Sequence, residues 1–144
     1  MRKALILAAL VAMAAPAMAA DVGLIKVSKG EVRIERAGAP VAAGVGTGVQ
    51  PSDVIVTGAD GLAGITFTDN SLVSLGPNSR FSIDKYRFDS TTHAGEFESS
   101  LTRGRLAAIS GKMVKQSPEA MKVRTPSAIM GVRGTEFIVE AGEE

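Results

Sequence analysis

Gly61-Leu-Ala-Gly-Ile-Thr-Phe-Thr-Asp-Asn-Ser-Leu-Val-Ser-Leu-Gly-Pro-Asn-Ser-Arg-Phe-Ser-Ile-Asp84 is the stretch that decides the fold class. Ile65 and Phe67 alternate with Thr66 and Thr68, and Phe81 and Ile83 alternate with Arg80, Ser82 and Asp84. A period of two places one face of an extended chain on a core and the other in water. Asp69-Asn70-Ser71 and Gly76-Pro77-Asn78 separate the runs. These are turn residues because glycine and asparagine tolerate positive φ and proline presets φ near −65°.

The same grammar extends in both directions. Val32 and Ile34 stand among Glu31, Arg33 and Glu35, Met121 and Val123 against Lys122 and Arg124, and Phe137 and Val139 opposite Glu136 and Glu140. Ile138 is an apolar exception on the outer face. Turn signals recur at short intervals from Asp53 to Ile109, and helical spacing is hard to find, so the expected class is all-β. Two softer segments, Ala37 to Val49 and Asp89 to Gly95, read as loops, the first mobile and the second exposed. Gly30-Glu-Val-Arg-Ile, Gly95-Glu-Phe-Glu-Ser and Gly104-Arg-Leu-Ala-Ala each open a strand on a glycine and a charge, an echo that permits a solenoid and does not prove one.

Before these runs, Met1-Arg2-Lys3 is a short basic region, Ala4 to Pro16 is apolar, and Ala17-Met18-Ala19 presents the small-x-small pattern of signal-peptidase cleavage. Residues 1–19 are therefore expected to be a cleaved export signal, cut after Ala19, that delivers the chain to the periplasm. The apolar run is too short to span a bilayer, which takes about 20 residues, so no membrane span is expected after cleavage. The remainder is one domain of ordinary size. Sixteen basic and 15 acidic residues make the whole chain nearly neutral, and without Arg2 and Lys3 the balance is 14 against 15. Such a balance supplies no field for nucleic acid. With no cysteine, the fold rests on packing and backbone pairing in an oxidising compartment.

The closing segment Val123-Arg-Thr-Pro-Ser-Ala-Ile-Met-Gly-Val-Arg-Gly-Thr-Glu-Phe-Ile-Val139 resembles the pattern of the FecR domain, a strand, Thr-Pro, small residues and Val-Arg-Gly-Thr-x-Phe. Gly48-Val-Gln-Pro-Ser-Asp-Val-Ile-Val-Thr-Gly58 is similar to a second stretch of that family, with Ser52-Asp53 where Gly-Asp is usual. Ala63 to Ser79 is similar to a third, with Asn70 where glycine is usual. The resemblance runs from Gly30 to Val139 and places a FecR-like β domain at 30–140, a lead-in strand at 20–29 and a tail at 141–144. It implies a twisted β-solenoid or β-helix-like stack, with a β-sandwich or roll as the alternative. Thr125, Pro126, Gly131, Arg133, Gly134, Thr135 and Phe137, with Asp69 and Asn70, are then the structural motif. Regulators of this family join a cytosolic anti-sigma segment and a membrane helix to the periplasmic domain. Only the periplasmic part is matched here, so any signalling role is expected to work through a partner.

Candidate chemistry is sparse. His93, the single histidine, stands beside Thr91 and Thr92 with no cysteine to activate, so it reads as a loop residue or part of a binding surface. Asp69-Asn70-Ser71 lacks the register of a calcium loop. Asp53, Asp60, Asp69, Glu96 and Glu98 include no pair held at glycosidase spacing by anything in the sequence, and Gly44-Val-Gly-Thr-Gly48 precedes no helix that would make it a phosphate loop. Arg133, between Gly131 and Gly134, reads as a corner residue that bonds carbonyls or a carboxylate; with Thr135 it could instead meet a carboxylate or glycan ligand. The expectation is a non-catalytic module without cofactor or metal that binds an envelope protein, small ligand or glycan. The alternative is a structural, peptidoglycan-associated protein.

Overall fold

The computed structural model describes residues 20–131 and 136–142. The export segment expected at 1–19 and the motif residues Arg133, Gly134 and Thr135 lie outside the described residues. Among the described residues, twelve strands and one short helix make the fold all-β, as the alternation requires.

The strands form one sheet that curls on itself. In chain order they are β1 (Gly23–Lys29), β2 (Val32–Arg36), β3 (Ala39–Ala42), β4 (Gly48–Val49), β5 (Val54–Thr57) and β6 (Leu62–Phe67). There follow β7 (Leu72–Leu75), β8 (Arg80–Phe88), β9 (Gly95–Ile109), β10 (Met121–Arg124), β11 (Ile129–Gly131) and β12 (Glu136–Ala141). The sheet runs β3-β2-β5-β8-β9-β7-β6-β1-β4, with β10, β11 and β12 attached through β9. A solenoid stacks successive coils with their strands in parallel. Among the described residues β9 with β10 is the one parallel pair, and the other ten pairings are antiparallel.

The 15-residue β9 organises the molecule. Its first part, through Arg103, pairs with β8 and β10, and its last part, Gly104 to Ile109, pairs with β7 and β12. The strand turns from one half to the other at Gly104, where φ is +97°. A side chain there would meet Ser79 in both its Cα and its Oγ, so glycine is required for space as well as for conformation.

One core lies between the halves. Ile34, Ile55, Phe81, Ile83 and Leu101 enter it from the first half, and Ile25, Ile65, Phe67, Leu75 and Leu106 from the second. Phe67, Tyr86 and Phe97 form its aromatic centre, with ring centroids 4.6 Å apart for Phe67 and Phe97 and 5.1 Å for Tyr86 and Phe97. Tilted and edge-on rings at such distances add to simple burial.

Two sequence readings need correction. Ala37 to Val49 is not a plain loop: it contains β3 and β4, and Val49 is fully buried. Its alanines and glycines hid two short strands, because small residues leave no alternation of size to read. The structure also contains a helix the alternation did not predict, α1 (Lys112–Gln116), which buries Met113 and Val114. Asp89 to Ala94 forms the β8–β9 turn, exposed as expected except for half-buried His93, and Gly95 already opens β9.

Candidate functional site

The described first part of the family-like motif, through Gly131, folds as a hairpin at the margin of the sheet. β10 lies parallel to β9, with Met121 opposite Phe97 and Val123 opposite Ser99, so Met121 and Val123 are drawn into the core. The next residues turn sharply. Thr125 N–H donates to the Ala128 carbonyl at 2.8 Å, and Ala128 N–H donates to Thr125 Oγ1 at 3.2 Å. Pro126 holds the second position of this turn, where its fixed φ is favourable. The chain returns as β11, with Met130 opposite Val123 and Ile129 opposite Arg124. Among the described residues β11 pairs with β10 alone, and all three of its residues are exposed, Ile129 to 63% and Met130 to 37%.

Beside the hairpin a shallow groove of about 110 Å³ is lined by Asp84, Glu98, Ser99, Lys122, Arg124 and Ile129. Its charges alternate across the strands, since Glu98 stands opposite Lys85 on β8 and Lys122 on β10. Asp84 accepts hydrogen bonds from Ser82 Oγ at 2.7 Å and from Ser100 Oγ. The floor is thus a polar sheet face of mixed sign, suited to polar or zwitterionic contact more than to one strongly charged ligand.

The other singled-out residues are placed separately. His93 lies on the β8–β9 turn at φ +62°, its ring stacked on Phe88 at 6.0 Å, at the opposite end of the β9–β10 pair from Thr125. In the same turn Asp89 accepts the Thr91 and Thr92 N–H groups at 2.8 and 3.2 Å. These donors, Thr91 first, hold its carboxyl below the usual aspartate range. Asp69 is buried and accepts from Ser71 N–H and Ser71 Oγ, while its own N–H donates to the Tyr86 hydroxyl at 3.1 Å. Asn70 has φ +67°, and the Asp69 carbonyl accepts from Lys112 N–H at the start of α1. Asp69 and Asn70 therefore form a structural corner.

The remaining carboxylates have partners. Asp53, 1% exposed, takes a two-pronged contact from Arg36, Nε to Oδ1 at 2.9 Å and Nη2 to Oδ2 at 2.8 Å, with Gln50 N–H adding a third. Glu96 meets Lys85 Nζ at 3.0 Å, and that bond in particular keeps its carboxyl below the ordinary glutamate range. Glu96 and Glu98 do share the wet face of β9 on either side of buried Phe97. Asp60 caps the Glu31 N–H at 3.1 Å.

Asp84, Ser99, Lys122, Arg124 and Ile129 are the groove residues that sequence reasoning did not single out. Their alternation along each strand was visible, but their assembly depends on a parallel pairing of β10 with a strand more than twenty residues earlier in the chain. Among the described residues no group of three or more His, Cys, Asp or Glu side chains is placed to hold a metal, and no helix is long and apolar enough to cross a membrane.

These features define an all-β domain, curled around one core and closed by a hairpin with a Thr-Pro turn. A family model described as FecR protein matches residues 53–144, well over half of the chain. The chain belongs to the FecR family. The match begins at Asp53, so β1 to β4 precede it in sequence while pairing into the same sheet. No curated protein and no solved structure matches the chain.

Proposed function

We propose that this chain is an exported, non-catalytic binding module of FecR type that acts in the periplasm by engaging an envelope protein at the β10–β11 hairpin. The observation that carries the reading is β11 itself, which among the described residues pairs on one side only and exposes the apolar side chains of Ile129 and Met130. An added strand would pair on the other side and cover Ile129 and Met130. Other edges are guarded. β3 contains Pro40, which has no N–H to offer, β4 has only two residues, and β12 presents Glu136 and Glu140. The groove beside β11 supplies polar contacts for the side chains of such a strand, or for a small ligand or glycan held with it. A non-catalytic role agrees with the engagement of Asp53, Asp69 and Glu96 and with the place of His93 on an exposed turn.

The test is affinity capture from a periplasmic extract by the purified protein and by two hairpin variants. Ile129→Pro removes an outward-facing backbone donor of β11, because the Thr125–Ala128 bond turns the Met130 N–H toward Val123 and the Ile129 N–H away from β10. Ile129→Asp places a charge on its apolar side. A protein retained by the parent and by Val45→Asp, a control at another exposed site, is expected to be lost with both. Retention unchanged by both hairpin variants would sink the proposal. Co-sedimentation with purified sacculus, with no soluble partner, would replace it by a structural, peptidoglycan-associated role.

A further inference from the structure

The two outer faces of the curled sheet are chemically unlike. Over the first half the outward residues of β8, β9 and β10 include Arg80, Lys85, Glu96, Glu98, Lys122 and Arg124, as a wet face requires. Over the second half the outward residues are largely apolar or small. Ile109, Leu72, Thr66 and Leu24 stand directly opposite one another on β9, β7, β6 and β1. A second row, Ile138, Ala107, Ser74, Gly64 and Val27, runs alongside from β12 to β1. Leu24, Val27, Leu62, Leu72, Ile109 and Ile138 are all exposed, and they are six of the nine large hydrophobic residues exposed among the described residues. Single exposed apolar side chains need no explanation, but a contiguous group on one sheet face does.

The charges around this face are polarised. β12, on one side, carries Glu136 and Glu140, and β1, on the other, carries Lys26 and Lys29. β7 lies midway, since the order across the face is β12, β9, β7, β6, β1. We propose that this face packs against the same face of a second copy of the chain about a twofold axis parallel to β7. That operation reverses the order of strands and keeps the rows in register. Glu140 then lies over the partner's Lys29, Ile138 over the partner's Val27, Ile109 over the partner's Thr66, and Leu72 over the partner's Leu72. Arg105, already 3.4 Å from Glu140, lies over the partner's Leu62. A twofold axis across the strands would instead bring acid onto acid and base onto base. The polarity therefore selects one self-complementary arrangement, an aligned sheet-on-sheet packing.

The size of the face sets the strength. Five strands about 4.8 Å apart and three rows about 7 Å apart, with a margin for side chains, give roughly 500 Å² per copy. The total of about 1,000 Å² is at the low end for a specific interface, so the dimer is weak and concentration-dependent.

Sedimentation velocity of the purified protein, from micromolar to millimolar concentration, tests this. The sedimentation coefficient is expected to rise from the monomer value toward that of a dimer, and added salt should weaken the association. Leu72→Asp and Ile109→Lys should leave the protein monomeric throughout with the melting midpoint unchanged. The charge pattern has a test of its own. Glu136→Lys with Glu140→Lys in one variant, and Lys26→Glu with Lys29→Glu in another, should each associate at least about tenfold more weakly than the parent. An equal mixture of the two should recover association. A monomer at every concentration, association that survives Leu72→Asp, or a mixture no tighter than its separate components would each overturn the proposal.

Discussion

At the scale of single residues, the departures from the family pattern fall on positive φ. Ser52 has φ +74° and Asn70 has φ +67°. Asparagine accepts this region at small cost, whereas an ordinary L residue pays about 1 kcal/mol or more. Ser52→Gly should thus raise stability by roughly 0.5–1 kcal/mol, while Asn70→Gly should be close to neutral, as urea midpoints would show. No gain from Ser52→Gly would mean that its backbone N–H, which donates to the Ile83 carbonyl at 2.7 Å, holds the turn without strain. Tyr86 offers a second test, because it is the only tyrosine and no tryptophan is present. Burial chiefly, and Asp69 nearby, push its hydroxyl from an ordinary 10.0 up to about 12. Since the folded pKa is the higher one, the contribution is intact below pH 10 and is lost as pH rises from 10 toward 12. Tyrosinate absorbance of the folded protein should have its midpoint near 12, and a midpoint near 10 would refute the burial argument. Tyr86→Phe should remove this alkaline loss. It should also cost about 1–3 kcal/mol at neutral pH, because it leaves Asp69 N–H without its partner.

At the scale of elements, what could be read in the chain follows from how local the information is. Hairpin partners such as β6 and β7, separated by the Asp69-Asn70-Ser71 turn, were legible because the turn residues and the two-residue period agree. Ile138 was legible as an outward apolar residue for the same reason. The groove at β10 was not, since it depends on a long-range parallel pairing that no local pattern encodes. Nor was α1, whose five residues are too few to show a helical period and are held by packing of Met113 and Val114. The continuous β9 was hidden by Gly104, which reads as punctuation and acts as a bend within one strand. Gly104→Ala is accordingly expected to be among the most damaging small substitutions in the domain. Its methyl would meet the Ser79 backbone, and its φ of +97° is foreign to alanine. A loss of more than about 3 kcal/mol is expected from strain together with overpacking. A Gly104→Ala protein with an unchanged urea midpoint would show that β9 bends by another route.

At the scale of the whole molecule, the same strand decides how the domain unfolds. The first half is tied to the second through β9, through the aromatic contact of Phe67 with Tyr86 and Phe97, and through a core shared by both. Neither half retains a covered inner face if the other leaves. The chain contains no cysteine, so no disulfide can hold one half while the other melts. Unfolding is therefore expected to be one cooperative transition, despite the match beginning only at Asp53 and leaving β1 to β4 outside it. Far-ultraviolet circular dichroism, which reports the strands, and Tyr86 fluorescence, which reports the aromatic centre, should give coincident urea curves. The calorimetric enthalpy should equal the van't Hoff value, and reductant should change neither. Because most pairings join distant parts of the chain, refolding should be slow for the size of the domain, on the order of milliseconds to seconds. Two resolved transitions, with β1 to β4 released first, would instead make the matched residues an autonomous unit and β1 to β4 an accessory layer upon it.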